Sequence, residues 1–172
     1  MSQFNQTENP FGNSPELNAK PSSGLNVITI LSIIGSAFGL LQSVWSFFSA
    51  QKTYDDLKKM MDSGDLENAP GFVKSMVNKN MLDMTEKMLE NKVPILVLSL
   101  LGAALCLYGA IEMRKLKSQG YILWLIGELL PIGTLLIFVG AGAFSGFSLI
   151  GYLFPLVFIV LYTVYRKELK AQ

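Results

Sequence analysis

Apolar residues gather along this chain into four long runs, Leu25 to Ala50, Val93 to Ile111, Tyr121 to Ala143 and Phe147 to Tyr165, with polar segments of very unequal length between them. Inside the runs stands a single charged residue, Glu128. A bilayer core about 30 Å thick takes about 20 residues of helix to cross, and each run is of that order. The pattern predicts an all-α membrane protein, a bundle of four transmembrane helices. On this reading the spans fall at 25–50, 93–112, 121–143 and, after a short loop, within 144–165. A polar tail at 1–24, a basic turn at 113–120 and a C-terminal tail at 166–172 complete the chain.

The one sizeable polar insert, 51–92, predicts an amphipathic helical hairpin outside the membrane between the first two spans. Tyr54, Leu57, Met60 and Met61 fall on one helical face, and Val73, Val77, Met81, Met84 and Met88 on another. Between them Asp62-Ser63-Gly64-Asp65 reads as a stop, and Asn68-Ala69-Pro70-Gly71 as a start with Asn68 as cap. The 1–24 segment, rich in Asn, Ser, Pro and Gln, buries too little apolar surface to offset its conformational entropy and is expected to be disordered. Its Asn9-Pro10-Phe11 is a turn by one reading and an adaptor-binding tripeptide by another. Because this polar tail precedes a run of about 25 residues, the first run is expected to remain as a span and not to be a cleaved signal peptide.

Composition narrows the chemistry. Only 16% of the 172 residues are charged, and the net charge of +1 gives no basis for binding nucleic acid. There is no His, and the only Cys, Cys106, lies within the second run. An intramolecular disulfide is therefore impossible, and Ser-His-Asp, Cys-His and zinc constellations cannot be assembled. The expectation is a non-enzyme without a cofactor.

Basic residues favour the cytoplasmic face. With both termini inside, Lys20, Arg114, Lys115, Lys117, Arg166, Lys167 and Lys170 balance the seven lysines of the insert, but the inner ones crowd into the 114–117 turn and the C-tail. That density places both termini in the cytoplasm and the insert outside. The segment Gly109-Ala110-Ile111-Glu112-Met113-Arg114-Lys115-Leu116-Lys117-Ser118-Gln119-Gly120-Tyr121 resembles a junction found in small uncharacterised bacterial four-span membrane proteins, where a basic turn, a Gly and an aromatic link spans two and three. The resemblance implies a protein of the bacterial inner membrane and no particular activity. Glu112, beside Arg114 and Lys115, reads as part of an exposed charge cluster near the headgroups.

Three groups of residues could carry a role. Glu128 sits roughly 10 Å into the hydrocarbon by helix rise, where an acid costs about 2.5–3.5 kcal/mol on insertion scales. Pro131 removes the hydrogen bond to the carbonyl of Gly127, and Gly151, Tyr152 and Pro155 repeat the spacing in span four. Two kinks at similar depth would open a gap lined by Glu128, Tyr152 and Thr134, a device of transporters; the competing reading is a protonated Glu that only fixes packing. Gly35 and Gly39, and the stripe Gly102, Cys106 and Ala110, let helices approach closely, within the bundle or between copies. Six of the eight Met, among them Met76, Met81, Met84 and Met88, lie in the insert. They read as packing, as an adaptable partner surface, or as soft ligands for Cu(I).

The leading expectation is a structural or accessory membrane protein that presents 51–92 to a partner: another membrane or extracytoplasmic protein, or a second copy. The alternative is a small transporter or proton-coupled channel using Glu128 at the Pro131/Pro155 kinked hairpin of spans three and four.

Overall fold

The computed structural model describes residues 20–64, 70–144 and 148–169, without the side chains of 75–76, 148–152 and 154. The expected N-terminal disorder, the Asn9-Pro10-Phe11 tripeptide and the Asn68 cap lie outside these residues, as do the side chains of Met76, Gly151 and Tyr152. The described chain is all helix: α1 (Ser23–Asp62), α2 (Gly71–Met76), α3 (Lys79–Glu90), α4 (Lys92–Arg114), α5 (Ser118–Phe138) and α6 (Ser148–Tyr165), with 3₁₀ turns at Ala141–Phe144 and Arg166–Glu168. Three helices, α1, α4 and α5, are long and apolar enough to cross a membrane. The fourth apolar run coincides with α6.

The ends of the helices depart from the boundaries read in the sequence, each for a local reason. α1 starts before Leu25 because Ser22 caps it, its Oγ accepting from the Leu25 N–H at 3.2 Å. It does not end near residue 50. The polar segment that follows holds no breaker until Gly64, whose φ of 74° is a left-handed stop, so the first predicted helix of the insert is the continuation of α1. At 40 residues this helix is about 60 Å long, twice the hydrocarbon thickness. The second predicted helix of the insert is interrupted. Val77 is extended, and the Asn78 side chain accepts from the Met81 N–H at 2.9 Å, which starts α3 afresh after the short α2. α5 stops at Phe138 instead of running to Ala143, because Gly140 (φ 94°) turns its N–H back to the Leu135 carbonyl.

α4 and α5 form a close antiparallel pair through the three-residue turn Lys115–Lys117. Glycines on both helices make the approach possible. A Cβ on Gly109 would lie 2.5 Å from the Trp124 nitrogen, and one on Gly120 would lie 2.6 Å from the Gly109 carbonyl oxygen. Deeper in the pair, Gly102 and Gly127 each face the other's carbonyl, and Pro131 packs on Gly102. α4 also packs along α1, and α3 folds back on the extension of α1, where Leu57 is buried. Along α3, Met81, Met84 and Met88 are half-buried while Asp83, Glu86, Lys87 and Glu90 are exposed.

α6 is held at the end of the bundle that carries the 115–117 turn. Its Tyr162 is fully buried, donates a hydrogen bond to Ser32 Oγ on α1 at 2.8 Å, and packs on the Trp124 ring of α5 at 4.6 Å between centroids. Tyr162, Trp124, Leu25, Ile28, Cys106 and Met113 form the core. Outside it, Val27, Ile34, Phe38, Leu41, Trp45 and Phe48 on α1, Val97 and Leu101 on α4, and Ile122, Ile126 and Ile137 on α5 are exposed apolar side chains. A belt of this kind suits lipid and not water.

Candidate functional site

Between α1 and α5, on the far side of the Tyr162 contact from the helix termini, the bundle does not close. A cavity of about 420 Å³ is left there. α4 contributes Ser99, Ala103 and Cys106, and α6 contributes Pro155 and Phe158. α1 lines it with Ser32, Gly35, Ser36, Gly39, Gln42 and Ser43, a polar stripe on a helix otherwise apolar over that stretch. α5 lines it with Trp124, Gly127, Glu128, Pro131, Ile132 and Leu135. Glu128 is the only charged residue among them.

Among the described residues, a Cβ on Gly35 or Gly39 would meet nothing within 4 Å, so neither glycine sits at a close contact between described helices; both line the cavity. Gly102, Cys106 and Ala110 are buried as a packing stripe should be, and Gly109, Gly120 and Gly127 extend that seam. The spacing of Gly109 and Gly120 on either side of the basic turn was the available signal for them.

Glu128 is half-buried, with its carboxylate oxygen 3.3 Å from the Cys106 thiol. The same sulfur lies 3.5 Å from the Trp124 carbonyl oxygen. Cys106 therefore belongs to the site and not only to the packing stripe. A contact 22 residues apart leaves no trace in local sequence. Pro131 lies one turn beyond Glu128 and packs against Gly102, so the carbonyl of Gly127 faces α4 rather than the carboxyl group. Thr134 is not at the site: it is buried, and its hydroxyl donates to the Leu130 carbonyl at 2.8 Å.

The serines of α1 are held by their own helix. Ser36 Oγ donates to the Ser32 carbonyl at 2.7 Å and Ser43 Oγ to the Gly39 carbonyl at 2.8 Å. This back-bonding satisfies the hydroxyl proton inside an apolar span and leaves oxygen lone pairs turned outward.

Glu112 departs most from its expected place. It is 6% exposed, not a surface charge. Its two carboxylate oxygens take Lys115 Nζ at 2.7 Å and Lys117 Nζ at 3.0 Å, and its backbone carbonyl accepts from the N–H groups of both. The carboxylate in turn holds the Lys115 ammonium above its ordinary pKa, chiefly by the hydrogen bond. Leu116, between the lysines, adopts a left-handed φ of 61° and packs against the core. The basic turn is thus clamped from within.

Comparison with family models, with curated proteins and with solved structures finds no match. The reading of the site rests on its own geometry. Among the described residues no cluster of three or more His, Cys, Asp or Glu could hold a metal ion.

Proposed function

We propose that this is a four-span protein of the bacterial inner membrane that moves a proton or small cation, with Glu128 as the group that binds it. The observation that carries the reading is the position of Glu128 on a cavity among apolar helices, opposite a stripe of serine oxygens. An ionisable side chain inside a membrane is expensive to keep, and its usual justification is a pathway or binding site. In this reading α6, with 18 residues or about 27 Å of helix, is the fourth crossing. The termini and the Lys115–Lys117 turn then lie in the cytoplasm, and α2 and α3 lie outside.

The accessory reading loses support from α3. Its methionines are half-buried where the helix folds back on α1, and the face left exposed is charged. Met81, Met84 and Met88 are thus partly used within the chain, while Met60 and Phe72 stay exposed.

The test is flux in proteoliposomes made with the full chain, followed with an internal pH dye and with alkali-cation gradients. Wild-type protein should carry current above empty vesicles. Glu128→Gln should lower it at least tenfold, and Glu128→Asp should retain part of it. Wild-type vesicles as tight as empty ones would overturn the proposal.

A further inference from the structure

We propose that the cavity binds a small amphipathic organic cation through an N–H-bearing ammonium group, a step that rests on reading the Glu128 cavity as the working site. The argument is the sense of its hydrogen-bonding groups. Ser36 and Ser43 have given their protons to backbone carbonyls of their own helix, so towards the cavity they can only accept. Glu128 as a carboxylate is acceptor-only, and one of its oxygens already faces the Cys106 thiol. Gln42 and Ser99 can serve either way. Among the described lining residues there is no Lys and no Arg. With Glu128 ionised, the site offers one negative charge and the acceptor oxygens of Ser36 and Ser43, while the donors on its lining, the Trp124 indole, the Ser32 hydroxyl and the Gln42 amide, are all neutral. Such a surface is matched by a cation that brings several N–H donors, and the carboxylate, with no lining Lys or Arg to offset it, repels an anion.

Size and lining fix the rest of the ligand. About 420 Å³ lies at the small end of the range that holds drug-sized molecules. Trp124, Ile132, Leu135 and Phe158 line the remainder, so the body of the molecule is apolar or aromatic. The open side at Gly35 and Gly39 admits a molecule larger than a bare ion.

Trp124 lines the cavity and reports on occupancy; Trp45→Phe makes it the sole Trp. The full chain in detergent micelles is titrated with 4-phenylbutylammonium, with its N-trimethyl analogue, which has no N–H, and with the similarly shaped anion 5-phenylpentanoate. The expected result is saturable change of Trp124 fluorescence with the primary ammonium, at least tenfold weaker binding of the trimethyl analogue, and none of the anion. Glu128→Gln should weaken the ammonium at least tenfold. Gly39→Leu fills space that meets no other atom, so it keeps the fold and should abolish binding even where the Glu128 variant proves unstable. No saturation in wild type, equal binding of the trimethyl or anionic probe, or full binding by Gly39→Leu would overturn the proposal. Proton or alkali-cation flux that depends on Glu128, together with no ammonium binding, sinks this inference and leaves the transport reading standing. Ammonium binding without any flux does the reverse.

Discussion

Single residues in this chain do opposite work depending on whether a neighbour stands over them. Gly109 and Gly35 are both helical glycines, yet a methyl group on the first meets the Trp124 backbone at 2.5 Å and on the second meets nothing. Gly109→Ala must push α4 from α5 and should cost about 1–3 kcal/mol. Gly35→Ala should be neutral or stabilise by up to about 1 kcal/mol through helix propensity. Unfolding of both variants by denaturant titration in micelles checks the pair, and equal losses would refute the contrast. Glu112 supplies a second asymmetry. Glu112→Gln releases two lysines that are 57% and 36% exposed and can turn to water, so its cost should be small. Lys115→Gln with Lys117→Gln leaves the Glu112 carboxylate without its two cations, and should cost more stability than Glu112→Gln. The same titration ranks them; a reversed order would mean that the clamp does not hold. Neither contrast is legible from composition. The sequence shows that Gly102, Cys106 and Ala110 share a face, but not which helix covers it, and the Cys106–Glu128 pairing depends on how α4 and α5 come together in three dimensions.

At the scale of elements, hydrophobic periodicity and capping chemistry are most reliable where they coincide. Span boundaries were read from the point at which apolar residues give way to polar ones, but a change of polarity does not stop a helix; only a breaker or a cap does. Hence α1 runs through the 50–52 region, where no Gly or Pro intervenes, and ends at Asp62, just before Gly64. The same reasoning explains α3: a cap-forming Asn78 in the middle of a periodic face splits it. Asn78→Ala should cost about 1 kcal/mol and should act locally. Hydrogen exchange is expected to speed up over 79–85 while the 48–60 amides of α1 stay protected. Fast exchange at 50–53 in the wild-type protein would contradict the continuous helix.

For the whole molecule, three long apolar helices carry the architecture, and the proposed direction in the membrane rests on clustered positive charge. Lys115, Leu116 and Lys117 span the only link between α4 and α5, and Arg166 on the following segment of α6 lies 5.5 Å over the Tyr121 ring, so the basic groups meet at one end of the bundle. In intact cells a membrane-impermeant maleimide should label Lys79→Cys, and should label Lys167→Cys only after permeabilisation; the inverse pattern would turn the protein over. What the sequence could not show is the gap. Four apolar helices of adequate length predict a closed bundle, whereas an opening lies between α1 and α5, beyond the contacts that α6 makes through Tyr162, Thr163 and Tyr165.

The unbroken length of α1 has a mechanical consequence. Tyr162 holds it at Ser32, the cavity borders it at Gly39, and α3 rests on it at Leu57. Because α4 also packs along α1, the two helices would have to tilt together, with Ser32 as the pivot. A tilt of about 10° about Ser32 shifts Gly39 by about 2 Å and Leu57 by about 6.5 Å, given a rise of about 1.5 Å per residue. Movement of the Leu57 end is geared down threefold or more at the cavity wall, where the force is raised by the same factor, and a small change of width at the wall is amplified into a larger swing of that end.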